Sequence, residues 1–426
     1  MELRKRVITV ICDSLRRDFI SAEKTPVLAK VAERAAVFLN ARSVFPSTTR
    51  TSSASIATGC TPARHGLMGN CVILREASGL RCHNVGDPAF VDRLREITGT
   101  TLKVPTVAEH VRPLGLALLM SNVSAGAAYF YDPEGVGEVW HRAGSFGPGR
   151  KRIVPNIAQR WESGAVGDAA MTQTFCERVE KDDDLVSATL WLSDPDHSGH
   201  RSQLGSPEHL LGIAAAEVCV DAVSKLVARL RERGDDVLLI VGSDHGMQTI
   251  SENIPVTRLL VDAGLKAREE SHDVVIAPNG TAFTVGVSDA NADRTIAIAA
   301  WLRKQVWAGE VLTGDQLASI GLLDDETCRI AVSMRSDHST NQLGVPGTSL
   351  YIEDPDEPGD YVGRGQHGGL GTYEQSPFLM IDGAHFAPGP VEAAVSLVDI
   401  LPTLLRHLEL PFDGLDGRAL QAPSAH

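Results

Sequence analysis

Short, mostly apolar runs that break off at a polar, chemistry-bearing residue recur along this chain. Val7–Cys12 is followed at once by Asp13, and Val186–Leu192 leads into Asp194-Pro195-Asp196-His197-Ser198-Gly199-His200. Val237–Val241 leads into Ser243-Asp244-His245-Gly246-Met247. Phe378–Ile381 is a fourth such run, and His367 stands shortly before it in Gly365-Gln366-His367-Gly368-Gly369. Runs of this kind mark strands buried on both faces. Between them the period changes to that of helices. Thr25-Pro26 opens one helix by N-cap and first-turn proline logic, and Ser206-Pro207-Glu208 opens another that runs to about Arg233 before Gly234 stops it. The pattern predicts an α/β fold with a mainly parallel central sheet flanked by helices.

Two stretches fit this alternation less well. Residues 71–165 are rich in Gly, Pro and aromatics, which predicts loops and short elements over the sheet. Residues 251–360 hold a strand-like Asp273–Ala277, a helix-like Arg294–Val306 and a Gly/Pro/Asp-rich tract from Gly344 to Gly365. They read as a smaller α/β cap inserted into the fold. The expected organisation is a core of residues 1–250 and 361–426 with a cap insertion at 251–360. The 426-residue length agrees with this, since a large α/β enzyme often exceeds the prior of roughly 150 residues per domain.

Composition narrows the function classes. A net charge of −14 argues against a nucleic-acid polymer as partner, because such binders carry a basic stripe. An anionic small substrate is still compatible, since metal ions reverse the local field of an acidic site. No segment has the length of a membrane span, and the apolar N-terminal run is too short for a secretory signal and ends at Asp13. The seven cysteines are scattered without a CxxC pair. They predict a reduced, cytoplasmic setting and no thiolate metal site.

Parallel sheets carry their functional groups on loops at the carboxyl ends of strands. Asp13, Asp196, His200, Asp244 and His245 follow predicted strands in that way, and His367 stands shortly before one. An aspartate at one strand end is an ordinary turn residue, but several Asp/His clusters at strand ends predict a metal centre. Oxygen and imidazole donors without sulfur suit zinc, with manganese or iron as alternatives. Phe45-Pro46-Ser47-Thr48-Thr49-Arg50-Thr51-Ser52-Ser53-Ala54-Ser55-Ile56-Ala57-Thr58-Gly59 predicts a short packed helix starting at Thr48 or Thr49. A hydroxyl there can simply cap the helix; it also sits at the positive end of the dipole, which favours a nucleophilic role.

These residues resemble the nucleotide pyrophosphatase/phosphodiesterase and phosphonoacetate hydrolase branch of the alkaline phosphatase superfamily. The family's hydroxyl motif, P-(S/T)-x-T, then I-x-T-G, then P-x-x-H-G-x-x-x-N, matches Pro46-Ser47-Thr48-Thr49, Ile56-Ala57-Thr58-Gly59 and Pro62-Ala63-Arg64-His65-Gly66-Leu67-Met68-Gly69-Asn70. The metal motifs match Asp13, Pro195–His200, Asp244–Met247 and His367-Gly368, in order. Val398–Leu405 and Asp416-Gly417-Arg418 resemble the C-terminal signature. The resemblance implies Thr49 as nucleophile and Asn70 as donor to a phosphoryl oxygen. It implies two divalent ions, one held by Asp196, His200 and His367, the other by Asp13, Asp244, His245 and the Thr49 oxygen. A phospho-threonine intermediate follows from the same resemblance.

Cys60-Thr61-Pro62-Ala63-Arg64 also satisfies the sulfatase pattern C-x-P-x-R, but Thr58-Gly59 precedes the cysteine and Thr49 fills the nucleophile slot, so the match reads as chance. His197 lies between ligand positions without being one. The substrate implied is a small phosphorus ester or phosphonate, with a homo-oligomer left open. A phosphodiesterase is expected first, then phosphonoacetate hydrolysis, then a monoesterase or mutase. An inert metal- or phosphate-binding protein is the alternative from another class. A distal carboxylate would need a cation, for which Arg50, Arg64 and Arg364 are candidates.

Overall fold

The computed structural model describes residues 3–154, 161–354 and 359–421. Met1-Glu2, and the parts of the 71–165 and 344–365 stretches at 155–160 and 355–358, lie outside the described residues. Among the described residues a ten-stranded sheet forms the centre. Its parallel heart is Asp236–Gly242, Lys5–Cys12, Leu185–Leu192, Leu116–Ser121 and Glu138–Trp140, side by side in that order. Leu379–Asp382 runs antiparallel between Asp236–Gly242 and Ala36–Arg42, and Gly389–Ser396 closes that edge.

The fold is therefore the mainly parallel α/β architecture that the apolar runs predict. Alternation along Lys5–Cys12 shows why these strands read as continuously apolar. Val7 and Ile11 enter one core with the Thr49–Thr58, Ala125–Tyr131 and Ile400–His407 helices, while Ile8, Val10 and Cys12 enter the other with Pro207–Glu232 and Ala165–Lys181. Each fully buried aliphatic side chain of this kind contributes roughly 1.5–3 kcal/mol. The Pro207–Glu232 helix starts where expected, with the Ser206 side chain accepting the His209 N–H.

The strand Leu116–Ser121 lies inside the stretch read as loops and short elements. Its Leu-Ala-Leu-Leu-Met-Ser run is buried between two neighbours, but its brevity and its Gly- and Pro-rich surroundings mask it. The rest of 71–165 does hold short elements, including the Cys71–Glu76/Gly79–Asn84 hairpin.

Register converts sequence distance into proximity. Ile11 pairs with Gly242 and Cys12 with Leu192, so three central strands end at one level. Asp13, the Ser193–Asp196 turn and Ser243-Asp244-His245 leave the sheet together.

Apolar residues between Ile254 and Ile352 form a separate core. Val274–Pro278, Ala282–Val287, Ile330–Met334 and Ala308–Thr313 make a four-stranded antiparallel sheet against the Asp293–Leu302 helix. A small sheet of Ser336–Thr340, Pro346–Ile352, Gln248–Ile254 and Gly365–Gln366 links this unit to the loop that carries His367.

Candidate active site

The helix Thr49–Thr58 begins at Thr49, with Thr48 extended in the cap position. Thr48 Oγ1 makes no cap bond and meets Thr51 Oγ1 at 2.9 Å instead. Thr49 Oγ1 points out of the first turn and lies 3.1 Å from His245 Nε2. Helix and cap thus separate the two hydroxyls that the local pattern left open.

Two ligand-type clusters face this hydroxyl: Asp196, His200 and His367, and Asp13, Asp244 and His245. Within them His200 Nε2 is 3.2 Å and His367 Nε2 3.5 Å from Asp196 Oδ1, while His245 Nε2 is 3.0 Å from Asp244 Oδ2 and 3.7 Å from Asp13 Oδ1. The His245 and His367 rings stack with centroids 3.8 Å apart, which brings the clusters side by side. The structure brings all six residues expected as ligands to one place, with Thr49 beside them.

The imidazoles are aimed. His200 Nδ1 hydrogen-bonds with Gly365 O at 3.0 Å and His367 Nδ1 with Ser47 O at 2.8 Å. His245 Nδ1 is within reach of Gly246 O at 3.1 Å and Ser14 Oγ at 3.0 Å. In every case Nδ1 is engaged outward and Nε2 faces the site, the orientation that metal-binding histidines adopt.

Ser14 is a residue that the motifs do not mark. Its φ of 61° is in the left-handed region, and this backbone turn lets one residue touch both clusters. Its N–H donates to Asp244 Oδ1 at 3.2 Å and its Oγ donates to Asp196 Oδ1 at 2.7 Å.

Charge is unbalanced at the centre. Burial, then the neighbouring charges of Asp244 and Asp196, push the Asp13 carboxyl well up, although Trp191 Nε1 donates to it at 3.0 Å. Burial works against the charged form of Asp196, but His200 above all holds its carboxyl below the usual carboxylate range. Burial, then the charge of His245, holds His367 well below the ordinary imidazole value. Asp244 Oδ2 is fully buried without a hydrogen-bond donor. Mutually repelling carboxylates, an orphaned carboxylate oxygen and converging imidazole lone pairs are a donor set that divalent cations would satisfy.

Asn70 follows a tight turn after the short Pro62–His65 helix. Its Oδ1 accepts Arg50 N–H at 3.3 Å, so the amide presents Nδ2 as its other end. Two chambers flank the centre. The first, of 350 Å³, is lined by Thr49, Asn122, Ser124, Arg142, His197 and Arg201.

 The second chamber, of 310 Å³, is lined by Asn84, Pro278, Asn279, Tyr351, Asp354 and Tyr361. Arg50, Asn70, His200 and His367 line both.

Of the arginines considered for a distal anion, Arg50 is at the site. Arg64 instead pairs with Asp416 and bonds Gly414 O. Arg142 and Arg201, which no motif marks, line the first chamber. Cys60 is fully buried beyond the far end of the Thr49–Thr58 helix, whose ten residues span roughly 15 Å. The C-terminal motif buttresses that same end, where Asp416 N and Gly417 N both donate to Gly59 O at 3.1 Å.

The fold and the facing ligand clusters define a protein of the alkaline phosphatase superfamily. Within it the chain belongs to the type I phosphodiesterase / nucleotide pyrophosphatase family, whose sequence profile matches residues 7–300. It is an enzyme of the phosphoester hydrolase class. By sequence, no curated protein matches the chain significantly. Among solved structures it is similar to murine ectonucleotide pyrophosphatase/phosphodiesterase 5, in an inactive variant in complex with AMP, at 16% identity over 97% of both chains with a TM-score of 0.68. It is similar to phosphonoacetate hydrolase from Sinorhizobium meliloti 1021 in complex with phosphonoacetate, at 18% identity over 95% of this chain and 96% of that one, TM-score 0.68. Alkaline phosphatase PafA matches at 12% identity over 99% of both chains, TM-score 0.70. Among the described residues no helix is long and apolar enough to cross a membrane.

Proposed function

We propose that the chain is a two-metal phosphodiesterase that cleaves a small phosphorus diester through a covalent phospho-threonine at Thr49. The observation that carries this reading is the pair of chambers on either side of the centre, sharing Asn70, His200 and His367. A diester has two substituents to place, whereas a monoester has one.

Asp196, His200 and His367 would hold one divalent ion, and Asp13, Asp244, His245 and Thr49 Oγ1 the other; the nitrogen and oxygen donors suit zinc. Ions bound there supply Lewis-acid stabilisation of the threonine alkoxide and of charge on the phosphoryl oxygens. Thr49 Oγ1, at the positive end of its helix, attacks phosphorus; the Oγ–P bond forms as the bond to the leaving oxygen breaks. Asn70 Nδ2 donates to a non-bridging oxygen. Water then attacks phosphorus, the Oγ–P bond breaks, and a proton returns to Thr49. Residues 251–360 act as the cap, supplying the wall of the second chamber. The seven scattered cysteines, with no CxxC pair among them, support a reducing, cytoplasmic setting.

Phosphonoacetate-type cleavage is the second reading, favoured by Arg142 and Arg201 in the first chamber, where they would meet a distal carboxylate. Turnover of bis-p-nitrophenyl phosphate, p-nitrophenyl phosphate and phosphonoacetate, each with and without chelator, tests both. Diester turnover well above the others, lost with chelator and restored by zinc, supports the first reading. Phosphonoacetate as the preferred substrate would replace it with the second.

A further inference from the structure

The inserted sheet reaches the centre through one hairpin tip, Asn279-Gly280-Thr281, between Val274–Pro278 and Ala282–Val287. On one side Asn279 Oδ1 accepts Asn70 N–H at 2.6 Å and Cys71 N–H at 3.2 Å, and its Nδ2 donates to Cys71 O at 3.3 Å and Ala277 O at 3.2 Å. On the other side Thr281 N–H donates to His367 O at 3.0 Å, and Thr281 Oγ1 accepts Gly369 N–H at 2.9 Å. Thr281 Oγ1 also donates to the buried carboxyl of Glu374, which accepts Gly369 N–H at 2.8 Å.

The two loops interlock without spare room. A Cβ on Gly280, whose φ is 74°, would stand 2.0 Å from His367 O, and one on Gly368 1.7 Å from Asn279 O. The tip's own carbonyls are occupied from behind, Gly280 O by Ile352 N–H at 3.0 Å and Thr281 O by Met334 N–H at 2.8 Å.

We propose that this tip is a clamp that sets the spacing between the Asn70 donor and the His367 imidazole, with Asn279 and Thr281 as positioning residues. The clamp rests on the reading of Asn70 as a phosphoryl donor and His367 as a metal ligand. The insertion is then part of the catalytic framework as well as a wall of the substrate chamber. Geometry at a reacting centre is worth large factors, since a misplacement of about 1 Å can cost on the order of 100-fold. Groups that hold metal ligands carry about 10–100-fold in affinity or rate.

The test uses the metal-loaded enzyme with bis-p-nitrophenyl phosphate. Asn279→Ala lowers kcat about 10–100-fold with KM nearly unchanged and both metals retained. Asn279→Asp, which keeps an acceptor for the two N–H groups, recovers part of the loss. Thr281→Val releases metal at about 10-fold lower chelator concentration, and Thr281→Ser restores retention. Phe283→Leu, buried in the same hairpin away from the tip, lowers thermal stability and leaves kcat alone. A double-mutant cycle separates the clamp from the reading beneath it. If Asn279 acts through Asn70, the Asn70→Ala, Asn279→Ala double variant is no slower than Asn70→Ala. Additive losses, or a Phe283→Leu effect on kcat equal to that of Asn279→Ala, overturn the clamp alone. A wild-type rate for Asn70→Ala overturns the reading and the clamp together.

Discussion

Thr49 Oγ1 and His245 Nε2 are 3.1 Å apart although 196 positions separate them. The contact exists because the strand before His245 ends, and the helix after Thr48 begins, at the same edge of the sheet. It places the hydroxyl against the cluster of Asp13, Asp244 and His245.

Removing that hydroxyl should therefore remove the chemistry and leave the scaffold. Thr49→Ala is expected to reduce turnover by at least about 1,000-fold, with circular dichroism and metal content unchanged but for the lost threonine oxygen. Asp244→Asn should behave differently and lose metal together with rate. A Thr49→Ala enzyme within a few-fold of wild type would remove Thr49 from the mechanism.

Ser14 makes a sharper case, because its side chain and its backbone can be tested separately. Ser14→Ala and Ser14→Gly both lose the Oγ bond to Asp196 and should both lower kcat about 10-fold. Only alanine keeps a Cβ at a φ of 61°, so Ser14→Ala should be less stable than Ser14→Gly by about 1 kcal/mol. Equal urea midpoints for the two variants would show that the left-handed turn carries no strain. A wild-type kcat in both would show that the bridge between the clusters is idle.

What the sequence shows and what it hides follow from the range of each interaction. Asp13, Asp196, Asp244 and His245 are legible because each follows an apolar run, and parallel strands in register must deliver such residues to one edge. The Leu116–Ser121 strand escapes notice because six residues between Gly115 and Asn122 carry too little period to stand out. Ser14 escapes because its role depends on a backbone angle, and nothing about a serine after an aspartate announces it. Asn279-Gly280 carries a hairpin signal between apolar runs, yet its contact with Asn70, 209 positions away, has no local signature. Arg64 and Arg142 differ in destination alone: one is drawn to Asp416 and the other lines a chamber.

His65, in the turn that leads to Asn70, sets an acid limit on the fold. It is fully buried, its Nδ1 accepts Leu67 N–H at 3.1 Å and its Nε2 meets Ser55 Oγ at 2.9 Å. Burial holds its pKa down at about 3, against 6.5 when exposed. Between those values the unfolded chain binds the proton and the folded chain does not. The stability contributed by neutral His65 is thus present above pH 6.5 and is lost as pH falls toward 3, at about 1 kcal/mol per pH unit. His65→Asn keeps an acceptor for Leu67 N–H but does not titrate. It should be less stable than wild type at neutral pH, with a stability-versus-pH slope shallower by that amount between pH 6 and about 4. Urea unfolding of both proteins across this range measures the difference, and parallel slopes would mean that His65 takes up its proton without unfolding the turn.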